Sequence, residues 1–213
     1  ENSMSTELGK IQKPSIEDFK ESRRLYCLPL LYKGRNAPDD FLEKFDQYWQ
    51  QAEEHLVKLE KVGKIDKIYH ESIFLSDEEG LEAIKQINDN SYKIIKKIYE
   101  KGAKLEGLEN RDRFYEMMDW ARCLSVIIAS EKVFNKVSKF YQEAQKERDK
   151  FVAKQIDKTL KKNETGLLLM NETDRRRIQF PSDIQIFQIH PPALEEIYQW
   201  QRQQNRNRQQ EEE

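Results

Sequence analysis

The sequence predicts a helix-rich α/β fold: a small, mostly parallel sheet of about four strands, flanked by long helices. Three observations predict it. Glycine and proline are sparse, seven and six in 213 residues, so helices run long. After residue 64, short β-branched or aromatic runs alternate with helical stripes, as in βαβ units. Gly166 to Met170 is a continuous apolar run, the pattern of a strand buried on both faces.

The elements follow in order. Ser15 to Arg24 reads as a short helix, with Pro14 before it and Glu17 and Asp18 at its dipole-positive end. Leu25 to Tyr32 is apolar but broken by Pro29, which suggests an edge strand or a buried loop. Pro38 opens a helix that Gly63 ends. Its stripe of Phe41, Phe45, Tyr48, Trp49, Ala52, Leu56 and Leu59 has helical spacing. Ile65, Ile68, Tyr69, Ile73 and Phe74 indicate a strand at 65–73. Ser76 and Glu79 have capping-box form, and one helix is expected from there to Lys101, stopped by Gly102.

Ala103 to Glu109 is the second strand. Residues 111–162 hold neither glycine nor proline, so one long helix, or two joined with little interruption, is expected. Ile127, Phe134, Val137, Tyr141, Ala144 and Phe151 form an apolar seam at spacings of three, four and seven, suited to packing along another helix. Gly166 to Met170 and Ile184 to Ile189 are the third and fourth strands. Pro191 and Pro192 start a last helix carrying Leu194, Ile197, Tyr198 and Trp200. The expected organisation is a helical segment at 1–63 packed on an α/β core at 64–200. Residues 111–162 insert into that core as long helices, and a disordered polar tail occupies 201–213.

Charged residues make up 36% of the chain, and mean hydropathy is -0.94. No apolar run approaches the ~20 residues of a membrane span. Glu1 to Lys13 is polar and lacks a signal-peptide pattern. A soluble, cytoplasmic protein without membrane contact is therefore expected. A net charge of -2 with interspersed signs argues against nucleic acid. The basic run Arg175 to Arg177 and the tail arginines Arg202, Arg206 and Arg208 have no interleaved aromatic residues to stack on bases. Cys27 and Cys123 make neither a zinc motif nor a redox pair, and read as small buried apolar residues. There is no Gly-x-Ser-x-Gly elbow, Walker A loop or GxGxxG loop.

Ligands in open parallel sheets gather at the carboxyl ends of the strands. Those ends carry His70 and Glu71 on the first strand, Glu106 and Glu109 on the second, and Asp174 past the third. One histidine with several carboxylates suits a divalent metal, held by His70, Glu106 and Asp174, or a general acid and base pair. Polar residues also collect at strand ends simply because burial stops there. Arg148 falls on the apolar seam, where a guanidinium needs a carboxylate or several carbonyls. With Arg175 it suits an anionic ligand. A structural pair with Glu109, Asp149 or Asp174 is the favoured reading.

The stretch from Glu147 through Arg148, Asp149 and Ile156 to Leu160, followed by Gly166 to Met170 and Asp174, resembles the closing module of the TraB/TIKI/ChaN-like family. In that family an Arg-Asp pair opens a helix, an apolar strand follows, and a histidine sits just past it. The resemblance covers roughly residues 64 to 190, with His70, Glu71, Glu106 and Glu109 on the earlier strands. It implies an α/β fold and a hydrolase or a haem- or iron-associated protein. The family's Gly-x-x-His is here Asn171 to Asp174, without the histidine, and an unperturbed aspartate is a poor base near pH 7. Two functions are expected from different classes. One is a binding or assembly protein that forms a homo-oligomer or takes a protein partner through its long helices. The other is a metal- or acid/base-dependent hydrolase.

Overall fold

The computed structural model describes residues 22–211. A five-stranded, all-parallel sheet has the order β3-β2-β4-β1-β5. Its strands are β1 (Arg23–Pro29), β2 (Lys67–His70), β3 (Lys104–Glu106), β4 (Thr165–Met170) and β5 (Ile184–Gln188). The helices among the described residues are α1 (Asp39–Glu60), α2 (Asp77–Ile87), α3 (Asp89–Glu100), α4 (Arg111–Leu124), α5 (Glu131–Thr159), α6 (Glu172–Arg177) and α7 (Pro192–Glu211). No described helix is long and apolar enough to cross a membrane.

Strand alternation divides the core in two. Leu28, Ile68, Leu105, Leu167 and Leu169 face α1, α2, α3 and α7, meeting Phe45, Tyr48, Ile84, Ile95 and Ile197. Leu25, Cys27, Tyr69, Leu168 and Met170 face the C-terminal half of α5, meeting Val152 and Ile156. Gly166 is required on that side, because a Cβ there would lie 2.9 Å from Leu25 Cδ1 and 3.1 Å from Tyr69 Cε2.

Several expectations are corrected. The segment with Pro29 is an interior strand, paired with both β4 and β5. Pro29 is tolerated because it is the last residue, and the next amide, Leu30 N, continues the ladder to Met170 O. The helical segment expected at 1–63 therefore supplies a central strand as well as α1. Arg23 and Arg24 belong to that strand, and the rest of the helix expected at Ser15 to Arg24 lies largely outside the described residues. The helix expected from Ser76 to Lys101 breaks at Asn88, whose side chain accepts from Ser91 N and starts α3. The Ser76 hydroxyl accepts from Gly107 N rather than capping α2. Residues 201–211, expected as a disordered tail, continue α7.

The 111–162 segment is two helices. Ser125 ends α4 and Ser130 caps α5, its hydroxyl accepting from Val133 N. Together they form a hairpin, held by stacking of Trp120 on Phe140 and by buried Met117. Only the C-terminal part of α5 enters the core, through Ala144, Arg148, Val152 and Ile156. Of the expected seam only Ala144 is buried: Val137, Tyr141 and Phe151 are partly buried, Phe134 is exposed, and Ile127 sits on the turn, fully exposed.

Candidate functional site

The carboxyl ends of β2 and β4 are neighbours, and the chain leaves them in opposite directions, toward β3 and toward β5. Such a switch point opens a crevice in parallel sheets. Glu71 follows β2 directly, and its amide donates to Leu169 O, so the ladder fixes its place. Ser72 then turns the chain with φ of 67°, a left-handed conformation uncommon for serine. From β3, Leu108 N and Glu109 N both donate to Ile73 O. That close approach requires Gly107, where a Cβ would lie 2.6 Å from Phe74 O. Asp174 comes from α6, which begins as soon as β4 ends.

These three carboxylates converge on Arg148, which α5 drives into the crevice with 1% exposure. Every nitrogen of the guanidinium is used. Nε donates to both Glu109 oxygens at 3.1 Å, and Nη2 to Glu109 Oε1 at 2.5 Å and Glu71 Oε1 at 2.9 Å. Nη1 donates to Asp174 Oδ2 at 2.7 Å. Glu71 Oε2 accepts from Asn171 N at 2.8 Å, and the Phe114 ring lies 5.5 Å from the guanidinium carbon. A second arginine extends the chain of charges. Arg177 donates to Asp174 Oδ1 at 2.9 Å and to Asp149 Oδ2 at 3.1 Å.

Four carboxyl groups therefore share two guanidinium groups. Burial pushes the Glu71 carboxyl up to about 7, against the opposing pull of Arg148 and the Asn171 amide. Asp174 is also penalised by burial, but hydrogen bonds from Arg148 and Glu71 and the charges of both arginines hold it below the usual carboxylate range. Asp149 is raised, by burial first. The Arg148 guanidinium pays for burial and is nevertheless raised, because Glu109 and Glu71 bond it.

The structure thus brings together Glu71, Glu109, Asp174 and Arg148. It does not bring in His70, Glu106 or Arg175. His70 points to the opposite face of the sheet, where Nδ1 lies 2.6 Å from Glu71 O and Nε2 lies 3.1 Å from Ser91 Oγ. Burial lowers its pKa to about 4, so it stands neutral, with Nδ1–H donating to the carbonyl. Glu106 shares the α5 face but is ion-paired with Lys67, beside Tyr69. Arg175 reaches toward Cys27, lies 6.0 Å from the Phe180 ring, and donates to Gln188 once that amide is turned to present its oxygen. The proposed ligand set of His70, Glu106 and Asp174 is thus split between two faces. Among the described residues no three histidine, cysteine or acidic groups are arranged to hold a metal ion.

Residue-level reading missed two members. Arg177 shows a signal, lying three residues after Asp174 and so on the same helical face. Tyr32 shows none. It follows β1, half-exposed beside Glu71 and Arg148, and its phenol is raised by burial and by the Glu71 charge. No family model, curated protein or solved structure matches the chain.

Proposed function

We propose that the chain is a binding or assembly protein whose α4–α5 hairpin docks on protein surface, its own or a partner's. The observation that carries this is the state of α5. Its C-terminal half is locked into the core, while its first three turns and the last turn of α4 stand outside it. At the turn, Val126 and Ile127 are 64% and 100% exposed, and Val133 and Phe134 beside them are each 48% exposed. Apolar side chains exposed at the end of a hairpin are costly in water and gain by being covered. Arg148 supports the same reading as an anchor, since its donors are spent on internal carboxylates.

Light scattering over a concentration series tests this. Self-docking predicts a mass that rises with concentration and falls to the monomer in Ile127→Asp/Phe134→Asp. Docking on another protein predicts a monomer that binds a hydrophobic dye at the hairpin, lost in the same variant. A monomer with no dye binding overturns both.

A second reading has its own support. Three carboxylates meet at the switch point, one of them tuned near neutral pH, which suits an acid/base hydrolase of the kind the TraB/TIKI/ChaN-like resemblance implies. The acid/base form fits better than the metal form, because His70 occupies the other face. Hydrolysis of ester or peptide substrates that disappears in Glu71→Gln, with folding intact, would establish it. Equal rates in the two proteins would exclude it.

A further inference from the structure

A cavity of about 470 Å³ opens between α5 and the end of α6, outside the Arg148 cluster but sharing Arg177 with it. That volume is in the range of small-molecule sites, which run from about 300 to 1,000 Å³. Its wall has a distinct chemistry. Gln142, Gln145 and Gln179 contribute three primary amides and Lys146 a cation, while the guanidinium of Arg177 at the wall is already held by Asp149, Asp174 and the Thr173 carbonyl. Lys150 is also at the wall, but its ammonium is held by Glu147 at 2.6 Å. Among the described residues Lys146 makes no ion pair, and the Gln142 and Gln179 side chains make no hydrogen bond. The Gln145 amide nitrogen donates to Tyr141, leaving its oxygen open. Asp149 gives Oδ2 to Arg177, while its Oδ1, covered from solvent, has no partner.

Amides match hydroxyl groups, which donate and accept at once, and the Lys146 ammonium matches an anion. We propose that this cavity binds a small hydroxylated anion of the sugar-phosphate class. The charged group lies on Lys146, and the hydroxyls lie on the three glutamines. Neither half of such a ligand satisfies the wall alone. Inorganic phosphate leaves the amides unmatched, and a neutral sugar leaves the lysine unmatched.

Titration calorimetry on the full chain with glucose 6-phosphate, glucose and inorganic phosphate tests this. The sugar phosphate is expected to saturate, at least tenfold tighter than either fragment. Lys146→Met and Gln142→Leu change exposed residues that hold nothing else, so both variants should keep the wild-type melting temperature. Each should weaken the sugar phosphate, by roughly tenfold or more for the lysine and less for the neutral amide. Phosphate bound as tightly as the sugar phosphate would reduce the site to a simple anion site and overturn the proposal. So would no saturation by any probe, or affinities unchanged in both variants.

Discussion

At the residue scale, Arg148 is the group on which most depends. Its removal leaves Glu71, Glu109 and Asp174 facing one another with no guanidinium between them. Arg148→Met should cost about 3–5 kcal/mol, the usual penalty for breaking a buried ionic pair from one side, read from urea denaturation. Arg148→Lys should recover only part of this, since an ammonium cannot reproduce the fork that serves three carboxylates. The Glu71 carboxyl makes a pH prediction. Its folded value is raised from 4.5 to about 7, so its stabilising effect is complete below about pH 4.5 and is lost as pH rises through 7. Melting temperatures of wild type and Glu71→Gln should therefore diverge between pH 5 and 8, with the glutamine variant gaining as pH rises. His70 acts in the opposite sense: its value drops from 6.5 to about 4, so its contribution is lost as pH falls through that range. Between about pH 4.5 and 6.5 the two trends oppose each other. The site was partly legible beforehand. Arg148 on an apolar seam demands carboxylates, and Glu109 and Asp174 were candidates for them. The grouping of His70 with Glu71 was the error, because adjacent residues at the end of a strand take opposite faces.

At the element scale, α5 joins two environments in one uninterrupted helix. Its C-terminal half packs on β1, β2 and β4, whereas its first three turns lie beside α4. Hydrogen exchange should follow this division: amides of 131–143 and of α4 should exchange well before those of 148–159, though all lie in regular helix. Equal protection along α5 would mean that the hairpin is covered. The sequence showed the long helices through the scarcity of breakers. It did not show the break after Leu124, because Ser125 and Ser130 end and cap helices with ordinary polar side chains and no glycine or proline. β1 was obscured for the converse reason. Pro29 argues against an interior strand, but at the terminal position its missing N–H interrupts no necessary bond.

At the scale of the whole molecule, the sheet is assembled out of sequence order. β4 lies between β1 and β2 and is the only strand that joins them. Truncation after residue 163 should therefore abolish cooperative unfolding altogether rather than lower its midpoint, because neither β1 nor the β2–β3 pair retains a neighbour across the gap. Calorimetry showing a residual sharp transition would contradict that. The same arrangement bears on the newly made chain. The partner that covers Leu25 and Leu28 is about 140 residues downstream. At ~5–20 residues per second, β1 leaves the ribosome on the order of ten seconds before β4 exists. For that interval an apolar strand with open edges is exposed among nascent chains. Its protection then rests on whatever holds it during translation, so expression at reduced temperature, or with a chaperone that shields apolar segments, should raise the folded yield more than any change to the finished core.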